Sequence, residues 1–208
     1  MASYGYDNVD AVAAQEARRI PQSIDVVTAP TSEPVTLAEA KRAAKVDYTE
    51  EDTEITAWIK QAREEVEVDA SICLMPQTIR VNLDWFPAWS LPIRRYPITA
   101  ISSITYVDFD GSTQTISSSD YVLDTTSFPP RVEPAYGLLW PNARSQPRSV
   151  KVTCTAGFAS ASLVPEIAKQ AIRLRVAMNV KEREGMDFEK YQAAYDGLVA
   201  KLRRFNML

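Results

Sequence analysis

The chain of 208 residues contains no histidine. That absence removes Ser-His-Asp and Cys-His nucleophilic catalysis, together with every zinc site that depends on imidazole. Carboxylates, lysine, tyrosine and thiols are all that remain for chemistry. Cysteine is nearly absent too: Cys73 and Cys154 stand alone, outside any C-x-x-C pair. Two buried reduced thiols are therefore expected, and not a disulfide framework. Glycine is scarce, with six residues in all, and no Gly-rich loop suited to cradling phosphate occurs. No apolar run approaches the ~20 residues needed to span a bilayer, so no membrane partner is expected. The first twenty residues lack a basic start followed by an apolar stretch, which argues against a secretory signal.

What is present is ordinary in bulk and uneven in detail. Hydrophobic residues make up 46% and charged residues 24%, the balance of a globular protein with enough length for a core plus an inserted module. The net charge of −4 divides into −3 over residues 1–35, −5 over 36–76, +1 over 77–164 and +3 over 165–208. An acidic front and a basic end read either as solvated faces or as unlike surfaces that meet between neighbouring copies. A modest +3 is too little to indicate nucleic-acid binding.

Residues 1–33 show no sustained period, apart from a weak helical spacing of Val12, Glu16 and Arg19, and read as an extended N-terminal arm past Pro21. Order begins at Thr36 and Glu39, the T-x-x-E spacing of a capping box. A short helix follows, with Leu37, Ala40, Ala43 and Ala44 as its apolar positions. A longer one starts near Glu51, with Ile55, Trp58, Ile59, Ala62, Val66 and Ala70 at spacings of three and four. Running to about Ala70, it would be ~30 Å long at ~1.5 Å per residue. After Pro76 the period becomes two, and residues 77–164 read as an inserted antiparallel β module. Within it the strand 78–84 alternates, the prolines of 91–98 mark an edge, and Asp110-Gly111 makes a hairpin turn. A second pair flanks Phe128-Pro129-Pro130, and the last strand, 150–156, stops at Gly157. Pro165 then opens a third helix whose wide stripe of Ile167, Ala171, Ile172, Leu174, Val176 and Met178 suggests cover on more than one side. Gly185 is its expected C-cap. A final helix from about Asp187 carries Phe188, Tyr191, Tyr195, Leu198, Leu202 and Phe205 as an a/d seam, to dock on its own chain or on a neighbour. The expected organisation is thus a helical core of 34–76 and 165–186, the β module, and a C-terminal helix and tail of 187–208.

No constellation nominates a catalytic or metal site. Glu50, Glu51, Asp52 and Glu54 lack the spacing of a calcium loop and sit where a helix start favours carboxylates. Glu64, Glu65, Glu67 and Asp69 read as a solvated or intersubunit face. Asp108, Asp110 and Asp120 read as turn chemistry. Trp85, Phe86 and Trp89 beside Arg94 and Arg95 have the elements of a base-stacking platform, but read better as an interface or a core corner.

The ordered series of these pieces resembles the head–tail connector, or adaptor, proteins of tailed double-stranded DNA bacteriophages and phage-like gene transfer particles. The resemblance is carried by 33–41 (Glu-Pro-Val-Thr-Leu-Ala-Glu-Ala-Lys), the acidic 47–52, the helix 55–68 and 75–79 (Met-Pro-Gln-Thr-Ile). Leu91-Pro92-Ile93, 101–107, Asp110-Gly111 and 119–122 continue it. Trp140-Pro141 and the strand 150–157 leading into Val164-Pro165-Glu166-Ile167-Ala168 complete it. It implies an α+β fold, a helical bundle core with the β module inserted between its second and third helices. It also implies a non-enzymatic virion protein with no cofactor, forming a homo-oligomeric ring of about twelve copies at the neck, beneath the portal. Such a ring, assembled in the host cytoplasm, would extend the DNA channel and offer a docking surface to a downstream stopper or tail protein. Double-stranded DNA would pass through it without sequence-specific binding, helped by an acidic lining. On this reading Leu202, Arg203, Arg204, Phe205, Met207 and Leu208 are expected to meet the portal. Glu51, Glu54, Glu64 and Glu65 would face Arg173 and Arg175 across the subunit interface. Asp108, Phe109, Asp110 and Phe128 would face the tail. The competing reading is a DNA-binding regulatory or packaging accessory protein, for which the nearest basic cluster is Lys169, Arg173 and Arg175.

Overall fold

The computed structural model describes residues 22–182 and 188–205. The chain is α+β and divides into a helical unit of 30–76 with 157 onward, and a β unit that includes 22–29 and 77–156. The expected Gly185 C-cap lies outside the described residues.

The helical unit begins at the capping box. Thr36 accepts the Glu39 backbone N–H on its side-chain oxygen at 3.3 Å, and the Glu39 carboxylate accepts the Thr36 N–H at 2.8 Å. These bonds start α1 (Leu37–Ala44), and they hold the Glu39 carboxyl below its usual pKa, the Thr36 backbone bond contributing most. Thr36→Ala is expected to cost about 1 kcal/mol in urea denaturation; a loss below about 0.3 kcal/mol would show that the cap is idle. Helix α2 (Asp52–Ala70) turns Ile55, Ile59, Ala62, Val66 and Ala70 inward at the spacing its sequence predicts. Both helices end on a left-handed residue, Lys45 and Ser71.

The wide stripe of α3 (Glu166–Glu182) has its reason: this helix packs against α1, α2 and α4 (Phe188–Phe205). Pro165 stands just ahead of it, and its carbonyl accepts the Ala168 and Lys169 N–H groups. The seam of α4 docks on its own chain. Tyr195, Val199 and Leu202 are buried in the same core as Ile172 and Val176, each contributing roughly 1.5–3 kcal/mol by burial.

The β unit holds two antiparallel sheets. The larger has the order β1 (Gln22–Thr28), β2 (Gln77–Leu83), β8 (Val150–Ala156), β4 (Ile98–Val107), β5 (Thr113–Ile116). The smaller has the order β3 (Leu91–Pro92), β7 (Arg131–Pro134), β6 (Tyr121–Asp124). The register sets Ile79 opposite Cys154, and Cys154 opposite Ile101. Alternation then buries Ile79, Val81 and Leu83 with Val150, Val152, Cys154 and Ala156, while Lys151 and Thr153 turn the other way.

Two features differ from expectation. The end of the extended arm is strand β1, with Gln22 paired to Leu83 and Asp25 to Arg80. And the β unit closes at Ala156, with residues 157–164 belonging to the helical unit. The turn at Asp110-Gly111 is as expected, with Gly111 at φ +86.

Candidate interaction surfaces

The acidic run on α2 reads as a solvated or intersubunit face, but one member, Glu67, is buried. Arg63, 2% exposed, lies among the carboxylates: Nε donates to Glu33 Oε2 at 2.7 Å and Nη1 to Glu67 Oε2 at 2.8 Å. The other Glu67 oxygen accepts the Leu74 backbone N–H at 2.7 Å. Burial alone disfavours the guanidinium charge, but Glu67 and then Glu33 outweigh it and hold Arg63 above its usual pKa. One buried cation thus ties the segment before α1 to α2 and to the turn after it. Glu67 is corrected accordingly from surface to core, while Glu64 meets the same guanidinium at 3.3 Å from the rim.

The candidate subunit-interface residues are largely engaged within the chain. Arg175 Nε donates to Glu65 Oε2 at 2.5 Å, and its guanidinium lies 6.0 Å from the Tyr195 ring centre. The Tyr195 hydroxyl donates to Asp69 Oδ2 at 2.9 Å; burial, then that bond, pushes its pKa up. Arg173 pairs with Glu166. Glu51 accepts from the Tyr48 hydroxyl at 3.2 Å, and Glu54 is exposed in the first turn of α2. Lys41 reaches Asp52 at 2.5 Å, so the acidic start of α2 also anchors α1.

At the end of α4, Leu202 is fully buried and Arg203 Nε donates to the Asp69 carbonyl at 2.6 Å. Both serve the helical unit, which leaves the residues beyond them as the candidate portal contacts. The side chains of Arg204 and Phe205, and all of Met207 and Leu208, lie outside the described residues.

In the β unit the candidate tail-side residues occupy two turns. Asp108 accepts from Gln114 Nε2 at 2.7 Å and from the Ser112 N–H at 2.9 Å, bonds that lower its pKa and fix the hairpin. The fixed turn leaves Phe109 70% exposed at its tip, with Asp110 exposed beside it. Phe128, also exposed, meets Tyr96 edge-on at 6.2 Å. Its loop is held by Asp124, whose carboxylate accepts from the Thr126 hydroxyl and the Thr126 and Ser127 N–H groups. These bonds, the Thr126 hydroxyl first, hold it far below the usual carboxylate range.

A further surface includes Trp85, Phe86 and Trp89, which the sequence marks as an interface or core corner, and a second part, Tyr136, Leu138 and Leu139, that was missed because its segment lacks any period. Phe86 stacks on Trp140 with ring centres 5.0 Å apart and planes 7° apart, and Trp140 Nε1 donates to the Trp89 carbonyl at 2.8 Å. This clasp locks the segment after β2 to the loop after β7. Around it Trp85, Trp89, Tyr136, Leu138 and Leu139 stay exposed. The signal available in the sequence was Tyr-Gly-Leu-Leu lying in a loop, where apolar side chains have no strand or helix face to bury.

Among the described residues no group of three or more His, Cys, Asp or Glu side chains is arranged to hold a metal ion. No described helix is long and apolar enough to cross a membrane. Both cysteines are buried thiols outside any disulfide, and burial pushes the Cys154 thiol up to about 12. Cys154 is therefore expected to resist alkylation at pH 8 in the native protein and to react within minutes in denaturant; prompt native labelling would contradict this burial.

Among the described residues, four α-helices form one unit and two antiparallel sheets the other, and the chain shares this fold with solved chains of gene transfer agent particles. Chains of this fold occur in the neck of an empty GTA particle computed with C6 symmetry (TM-score 0.69, 20% identity, 87% of this chain and 95% of that one). Others occur in the virion of a native gene transfer agent particle (0.67, 21%, 86% and 94%) and in the neck of a native GTA particle computed with C12 symmetry (0.68, 20%, 87% and 94%). No protein-family model and no curated protein sequence matches the chain.

Proposed function

We propose that this chain is a non-enzymatic structural protein of a virion neck, forming a homo-oligomeric ring between portal and tail. The observation that carries the proposal is the fold shared with chains from the necks of gene transfer agent particles over 87% of its length. Its charge distribution supports it. An acidic start and a basic end suit head-to-tail contacts, which close into a ring when the rotation between neighbours permits. Of the candidate acidic residues, Glu54 and Glu64 are the exposed ones, and they are assigned to the contact with a neighbour. The C-terminal residues 204–208 are assigned to portal contact, and the turns bearing Phe109 and Phe128 to contact with the next tail component. Net acidity lets DNA pass without tight phosphate contacts.

The alternative, a DNA-binding regulator or packaging accessory, rests on Lys169, Arg173 and Arg175. Arg173 and Arg175 are paired with Glu166 and Glu65, and Lys169 lies 3.9 Å from Glu166. Little unpaired positive charge remains there to neutralise phosphate.

Removing the protein from an assembling particle tests the proposal. DNA-filled heads without tails are expected by electron microscopy, and tails should rejoin when the protein is added back. Normal tailed particles in its absence would sink the reading. Deletion of residues 204–208 should abolish portal-bound rings while leaving the fold intact by circular dichroism.

A further inference from the structure

We infer that the clasped aromatic surface of the β unit is the contact between two copies of this chain, meeting patch to patch about a two-fold axis in the free protein. The inference does not rest on the neck reading. A two-fold contact uses one surface twice and closes at two copies, whereas a ring needs two unlike surfaces.

Three observations carry it. The first is that the surface is built in advance. The Phe86–Trp140 stack and the bond from Trp140 Nε1 to the Trp89 carbonyl lock its two loops together. Phe86 also meets Tyr106 edge-on at 5.7 Å, which fixes the loops to β4. Little conformational freedom is left to lose on association.

The second is size. Trp85 is 43% exposed, Trp89 56%, Leu138 48% and Leu139 73%, and Tyr136 stands wholly in solvent. With a whole aromatic side chain worth roughly 150–250 Å², these five expose on the order of 600 Å² between them. That is the upper end of what the largest apolar patch of a monomer measures, about 300–600 Å². Each partner of a standard complex contributes about 800 Å², an area that the patch reaches with its polar rim.

The third is the sign of that rim, which is mixed. Residues 84–95 and 135–148 hold Asp84, Arg94, Arg95, Arg144 and Arg148. Asp108 and Asp110 stand on the hairpin beside Arg144, whose backbone N–H donates to the Val107 carbonyl at 2.8 Å. Several of these groups are engaged at home. Asp84 accepts the Arg148 N–H at 2.8 Å, the Arg148 guanidinium lies 3.8 Å from Asp25, Asp108 fixes its own turn, and Arg94 has a partner already. A partner of one strong charge therefore finds no one-sign rim to recognise it. A second copy does not need one: an all-positive rim would repel itself, whereas Arg95 and Arg144 of one copy can face Asp84 and Asp110 of the other.

Sedimentation velocity on the full chain between about 1 and about 100 µM tests the inference. The expected result is a concentration-dependent passage from one copy to two and no further. Leu139→Asp and Tyr136→Ser change exposed side chains and leave the core alone. Each should raise the dissociation constant about tenfold or more, with an unchanged circular dichroism spectrum. A photo-crosslinking residue at Leu138 should give a product of dimer mass, linked to residues 84–95 or 135–148 of the other copy. A single copy at every concentration overturns the inference, and so does a species larger than two. A dimer indifferent to both substitutions, or links from Leu138 to any other surface, overturns it equally. None of these outcomes bears on the neck reading, which the particle experiment decides.

Discussion

Arg63→Ala is expected to destabilise the helical unit by about 3–5 kcal/mol, the cost of breaking a buried ion pair from one side. The reason lies in what stays behind. Glu67 is 8% exposed and Glu33 is held near it, and without the guanidinium both carboxylates lose the partner that makes their position tolerable. The bond from Leu74 N–H to Glu67 is then left to hold an uncompensated charge. The double change Arg63→Met with Glu67→Gln should recover much of the loss, because it removes both charges and keeps a side chain able to accept from Leu74. Urea unfolding of the three proteins measures this. A single-mutant loss under about 1 kcal/mol would mean that water reaches the cluster and that Arg63 is not its keystone.

Gly157→Ala is the second large effect. A Cβ at this position would stand 2.0 Å from the Met75 carbonyl oxygen and 2.4 Å from its carbon, both backbone atoms that no rotamer change can clear. The residue also has φ +102, a region that side-chain-bearing residues rarely adopt. Steric and conformational costs act together, for a loss of about 3 kcal/mol or more. In a chain of this size that corresponds to a fall in Tm of about 6–12 °C by calorimetry. A variant melting within about 2 °C of the parent would show that the two segments separate easily.

Local chemistry was readable in advance where a local rule governs it. Thr36 and Glu39 announce α1 through their spacing, Ile55 to Ala70 announce α2 through their period, and Asp110-Gly111 announces the hairpin between β4 and β5. The seam from Tyr195 to Leu202 announces α4, though only the structure shows that it docks on its own chain. Pairings between distant segments were not readable. Gln22–Thr28 has no strong strand pattern, and becomes β1 because Leu83, Val81 and Ile79 on β2 offer it a ladder. Burial of charge was hidden as well. Arg63 and Glu67 sit in a run that looks solvated, and nothing local tells that Glu33 will close over them. The candidate surfaces divide along the same line. Phe109 at a turn tip is exposed for a local reason, whereas Leu138 and Leu139 are exposed because of how two remote loops are clasped. Arg175 shows another pairing that was not readable: within the chain it meets Glu65, 110 residues away in sequence.

The interleaving of the two units constrains how the protein is made. Synthesis delivers β1 first, then the residues that become α1 and α2, and only afterwards the strand that β1 pairs with. The β unit in turn needs β8 between β2 and β4, and the helical unit needs α3, which touches every other described helix. Neither unit can therefore finish on the ribosome before most of the chain has emerged. Until then β1 presents an unpaired edge and α2 an unfilled apolar face. The nascent chain thus stays a substrate for chaperones until synthesis is nearly complete, and a truncated product ending before Val150 has no finished unit to fall back on.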